Sequence, residues 1–148
     1  MPGPDAAAMV DDLRRWSAEL TRDDVTAAEV APAIGAADGD AASPQVEVRP
    51  AREGWAAATV VDGPAGDGPS HVTLTPADGT PLAPEDLDEA FGPAGPSPAR
   101  IHFDAPEQRI HLVDTGQPHF TAAVIAELPA GAAGPVRTVV LRRDPRLE

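Results

Sequence analysis

The chain contains no cysteine, lysine, tyrosine or asparagine, and the first two absences each remove a class of chemistry. Without cysteine there is no thiol nucleophile, no disulfide framework and no cysteine-ligated zinc. Without lysine there is no Schiff base and no phosphate-gripping P-loop lysine. All 11 basic side chains are arginine. Lysine, asparagine and tyrosine share AT-rich codons, whereas Ala, Gly, Pro and Arg have GC-rich ones. A GC-rich genome accounts for the arginine usage, so it is not evidence of selection for bidentate anion contacts.

Long apolar runs are missing as well. No stretch approaches the ~18 apolar residues of a membrane span. Met1 to Val10 has no positive leading region, and Asp11–Asp12 interrupt the short apolar stretch Ala6–Val10, which argues against a secretory signal. The expectation is a cytoplasmic protein. Positive charge is scarce too, and the net charge is −13. Nucleic acids need a basic footprint and anionic membranes need basic surface segments, so neither partner is expected. Solubility and a basic protein partner are the two remaining readings of the acidity.

What is present suits one folded domain, since 148 residues fit a single core. Asp5–Leu20 reads as an amphipathic helix, with Met9, Leu13, Trp16 and Leu20 lining one face. Thr21-x-x-Asp24 and Thr26-x-x-Glu29 both resemble capping boxes. A second helix is predicted from Ala27 to Ile34, stopping at Gly35 and disturbed by Pro32. Residues 36–44 read as a turn-rich linker. Strands are predicted at Val46–Arg49, Trp55–Val61, His71–Thr75, Arg100–Phe103, Arg109–Val113, Phe120–Leu128 and Arg137–Arg142. Phe120–Leu128 is apolar on both faces, as a central strand would be. Pro84–Phe91 reads as a short helix that starts with proline and two acids and stops at Gly92. Flexible loops are expected near 36–44, 63–70 and 92–99.

The two short helices end alike, in TAAEVAPAIG and APEDLDEAFG, and each precedes a loop and several strands. The chain can therefore be read as two degenerate helix-plus-meander units sharing one sheet. That layout resembles the tandem helix-plus-sheet units of the β-lactamase inhibitory protein and the related outer-membrane small lipoproteins. The resemblance covers about ten residues in each unit and has no specific motif. It implies a concave-sheet binding protein. The chain departs from that family in having no cysteine, no tyrosine and no recognisable export signal.

The candidate site is the segment Arg100–Val113. A hairpin turning at Ala105–Gln108 places His102 opposite His111 and gathers Ile101, Phe103, Ile110 and Leu112 on one face. Arg100, His102, Asp104, Arg109 and His111 then share the other face. Three readings follow: an anion site with Arg100 and Arg109 as forks, a metal site with His119 or Asp104 as third ligand, or a solvated face with an Asp104–Arg109 ion pair. Elsewhere, Ser70 and His71 are neighbours in a strand, where alternation points them apart and argues against a nucleophile–base pair. Asp62–Gly68 and Asp38–Asp40 lack the alternation and distal glutamate of a calcium loop and read as turns. Trp16 and Trp55 fall on apolar stripes and are expected in the core. Arg137, Arg142, Arg143 and Arg146 give the last strand a basic end, expected to pair internally.

The sequence thus predicts an α+β domain with an antiparallel sheet of about six or seven strands, covered on one face by an N-terminal helix pair and a short middle helix. The leading functional expectation is a non-enzymatic binding protein, an acidic partner or inhibitor of a basic protein, with no cofactor. The alternative is a small-ligand or anion-binding domain using Arg100, His102, Arg109 and His111. An enzyme is the third class.

Overall fold

The structure is a computed structural model that describes residues 6–38, 45–50, 52, 54–62, 69–77, 82–92, 107–128 and 136–145. Helix α1 (Ala6–Leu20) buries the predicted stripe of Met9, Leu13, Trp16 and Leu20. It ends where the Thr21 hydroxyl donates to the Ser17 carbonyl at 2.8 Å. Thr21 therefore closes the first helix and does not open a capping box. Thr26 does begin helix α2 (Ala27–Ile34). Its Oγ1 accepts from the Glu29 N–H at 3.2 Å, and its hydroxyl donates to the Glu29 carboxylate at 3.1 Å. Pro32 is exposed within α2, and the Gly35 N–H donates back to the Ala31 carbonyl.

Seven strands follow among the described residues: β1 (Gly35–Asp38), β2 (Gln45–Pro50), β3 (Trp55–Asp62), β4 (Pro69–Pro76), β5 (Glu107–Val113), β6 (Phe120–Leu128) and β7 (Thr138–Pro145). Helix α3 (Pro84–Phe91) separates β4 from β5, and its N-terminus is closed by the Asp86 carboxylate accepting from the Ala83 N–H at 2.9 Å. The strands form one antiparallel sheet in the order β1-β2-β3-β4-β7-β6-β5. Each half is a short helix followed by a meander, and the last strands of the two halves meet in the middle.

One expectation changes here: the segment after Gly35 is not wholly linker, because residues 35–38 pair with β2 as an edge strand. Strand β6 is an interior strand as expected, paired on both sides and buried from Ala122 to Ala126, and lies second from the end of the described sheet. The predicted strand Arg100–Phe103 lies outside the described residues. So do most residues of the three expected loops.

One sheet face carries the core. Register places Val48, Ala58, Leu74, Val139 and Ala126 in one row, and Val46, Val60, Val72, Leu141 and Val124 in the next. All ten are buried and join the stripes of α1 and α2 in one cluster. Ala123 and Ile125, on the opposite face of β6, stand outside that cluster. No helix among the described residues is long and apolar enough to cross a membrane.

Helix α1 is anchored to the sheet by a buried acid. Asp12 is 1% exposed; its Oδ1 accepts from Arg52 Nε at 2.9 Å and its Oδ2 from Trp55 Nε1 at 3.1 Å. Trp55 packs edge-on against Trp16 with ring centroids 5.6 Å apart, and Trp16 Nε1 donates to the Ala33 carbonyl at 3.2 Å. Both tryptophans are core, as expected. Replacing Asp12 by alanine leaves a buried indole N–H without its acceptor, at a cost of about 2 kcal/mol. Arg52→Ala leaves the enclosed Asp12 carboxylate with the indole N–H alone and is expected to cost more, about 3 kcal/mol. Urea denaturation of the two variants checks this order; a smaller loss for Arg52→Ala would show that the indole bond, not the ion pair, holds the helix.

Candidate functional site

Alternation along β5 puts Arg109, His111 and Val113 on one face and Gln108, Ile110 and Leu112 on the other. Hydrophobicity alone turns Ile110 and Leu112 towards the core. The structure does the reverse: His111 is 1% exposed and Leu112 is 74% exposed. Register with β6 explains it, because Arg109, His111 and Val113 sit opposite Ala126, Val124 and Ala122, two of which belong to the core cluster. Val113, which shares the face of His111 and packs against that cluster, is the sequence signal for the correct orientation.

The buried face of β5 lies under α3. His111 Nδ1 is 3.0 Å from the Gly92 carbonyl, which can only accept, so Nδ1 carries a proton. Nε2 then faces Asp88 Oδ1 at 3.6 Å, and neither atom has a hydrogen-bond partner. Asp88 Oδ2 accepts from Arg109 Nη1 at 3.0 Å. The Phe91 ring lies tilted over the imidazole, 6.3 Å between centroids. The other half of the sheet shows how unusual this is. Under α2, the corresponding face of β2 presents Val46 and Val48, both buried and apolar. An acid, an arginine and a histidine thus occupy a layer that is hydrocarbon in the sister half. Asp88 escaped sequence reasoning because the amphipathic reading of α3 assigns acids to solvent.

A hollow of about 410 Å³ opens beside this cluster. Its walls are Arg14 and Ala18 of α1, Ala90 and Phe91 of α3, and Leu112 to Thr115 at the end of β5. Thr115 is held by a 2.6 Å hydroxyl contact with Thr21, and Asp114 accepts from the Gly116 N–H at 2.9 Å, where Gly116 takes φ +83°. His119 Nδ1 meets Asp23 at 2.6 Å. Two contacts therefore fasten the β5–β6 turn to the α1–α2 turn.

Of the four candidate site residues, Arg109 and His111 come together at Asp88, while Arg100 and His102 lie outside the described residues. Asp104 does too, and Arg109 pairs with Asp88. The suggested third metal ligand His119 is committed to Asp23, and among the described residues no group of three or more metal-ligating side chains forms. Of the basic end of β7, Arg142 pairs with an acid as expected, gripping Asp144 through two bonds of 2.8 and 3.1 Å, whereas Arg143 stacks 3.6 Å over the Phe120 ring, Arg137 is exposed, and Arg146 lies outside the described residues.

Ser70 and His71 differ from expectation. Val61 pairs with His71 but Asp62 with Pro69, so Ser70 falls out of the ladder in a bulge. The bulge cancels the alternation, and Ser70 Oγ lies 3.0 Å from His71 Nδ1. Burial lowers the His71 pKa below its usual 6.5. Among the described residues no hydrogen bond or ion pair joins a carboxylate to this ring. It is a hydroxyl–imidazole contact without the third group that would orient a catalytic base.

No protein-family model, no curated protein and no solved structure matches this chain.

Two measurements test this description. Asp88 and Arg109 are half-buried around the enclosed His111; a charged cluster withdrawn from water is often less stable than well-packed apolar residues of similar size, while removing one partner alone is costly. Asp88→Ala should therefore lower stability by about 1–2 kcal/mol, and the triple variant Asp88→Ala, Arg109→Val, His111→Val should melt at or above the parent temperature. A triple variant less stable than Asp88→Ala would show that the cluster holds the fold. For His71, the lowered folded-state pKa means that the unfolded chain binds the proton more readily. Its contribution is intact above the unfolded value near 6.5 and is lost as pH falls through it towards the lower folded value. His71→Gln should flatten that part of the stability–pH curve; an unchanged slope assigns the acid sensitivity elsewhere.

Proposed function

We propose that this chain is a non-enzymatic binding protein that engages a basic protein partner through its acidic surface. The observation that carries this reading is the internal engagement of six of the eleven arginines. Arg14 meets Asp11, Arg22 meets Glu19 and Glu29, Arg52 meets Asp12, Arg109 meets Asp88 and Arg142 meets Asp144. Arg143 lies on Phe120 and donates to the Arg22 carbonyl. Asp24, Glu47, Glu85 and Glu89 remain exposed. Arg15, Arg49 and Arg137 are exposed as well, but a chain of net charge −13 that folds six arginines onto its own acids, rings and carbonyls presents a predominantly negative field, which steers a basic partner and repels an acidic one.

The anion-binding alternative is disfavoured by the same geometry. Arg109 already holds the Asp88 carboxylate, so an incoming anion must displace it. Capture from the native host tests the proposal. The immobilised protein should retain a basic partner at low salt and release it as added salt shortens the screening length below about 10 Å. Retention should fall when Glu47, Glu85 and Glu89 are replaced together by glutamine. A protein that retains nothing at low salt, or binds equally at all salt concentrations, is not an electrostatic partner of this kind.

A further inference from the structure

A second hollow of about 330 Å³ adjoins the one beside Phe91, and the two share Arg14 and Ala90. Together they form a groove along the seam of α1 and α3. Acids stand at both ends, Asp114 at one and Asp86 with Glu89 at the other. Between them lies half-buried Phe91, and the hollow is bordered from β5 by Leu112, the large apolar side chain that stands out into solvent among the described residues on the strand face opposite His111.

The groove already receives one guanidinium. The Arg14 head group lies 5.6 Å over the Phe91 ring, donates to the Ala90 carbonyl at 3.1 Å and reaches Asp11 at 3.5 Å. An aromatic face, a carbonyl and a carboxylate are the three elements that accept arginine at interfaces. Acidic ends with an apolar middle complement a segment that is basic at its ends and apolar at its centre.

We propose that this groove is the docking site for a short basic segment of the partner protein. A central apolar side chain of that segment enters the hollow bordered by Phe91 and Leu112. Flanking arginines reach Asp114 on one side and Asp86 and Glu89 on the other. The inference depends on the basic-partner reading and narrows it to one place on the molecule.

A blocked pentapeptide with a central leucine between paired arginines is the probe, added at low salt to the full ¹⁵N-labelled chain. Amide shifts are expected at Ala90, Phe91 and Leu112 to Thr115. Affinity should drop by about tenfold when the peptide leucine becomes glycine, and again in Leu112→Asp, because each change removes a buried leucine contact. Leu112 is exposed, so the variant's undisturbed amide spectrum serves as the check that it folds. If the peptide binds but moves amides elsewhere, around Glu47 for instance, or binds Leu112→Asp equally well, the groove is not the site and the basic-partner reading survives. If no amide moves, the groove proposal is overturned, and the capture experiment alone decides whether a basic partner exists.

Discussion

A single buried carboxylate holds the helical layer to the sheet. Asp12 is almost wholly enclosed, and an isolated charge there would be strongly unfavourable. It is tolerated because a guanidinium and an indole N–H supply one partner to each oxygen. The indole belongs to Trp55, and its ring packs on Trp16 of the same helix that carries the acid. With five aromatics in an alanine-rich chain, this pair fills volume that smaller side chains cannot. The anchor also sets what α1 shows outward. Two residues further on, the helix has turned by about 200°, so Arg14 faces α3 and the groove.

The rest of the architecture is two similar halves with dissimilar interiors. Both short helices end in glycine, both lead into meanders, and the meanders share one sheet. The first half buries valines beneath its helix. The second buries His111 and half-buries Asp88 and Arg109, with Nε2 of the ring and Oδ1 of the acid left unbonded. Polar groups in such a layer cost stability unless every atom is satisfied. That asymmetry is the main physical difference between the two halves.

Much of the fold was legible from sequence. Helices α2 and α3 and strand β6 begin and end where capping residues, proline, glycine and apolar length indicate. The misses share a cause: local pattern was overridden by pairing. Gly35 to Asp38 has no strand character of its own and becomes β1 through its partner β2. A one-residue bulge brings Ser70 and His71 together although alternation separates them. In β5 the more apolar face points outward because the register with β6 turns His111 in. The candidate site was only half legible. Arg109 and His111 stood out as residues, but their acid came from a helix face that amphipathicity assigns to water.

The central seam bears on how the protein is made. Val72 of β4 lies beside Leu141 of β7, and every other strand pair joins neighbours in the chain. In chain growth from the N-terminus, β4 begins 69 residues before β7. Throughout that interval the middle of the future sheet is an open edge with unpaired backbone groups. Pro69 and Pro76, at the two ends of β4, lack amide hydrogens and so blunt that edge at its margins. The strand that completes the domain is also the one that removes its exposed template for self-association.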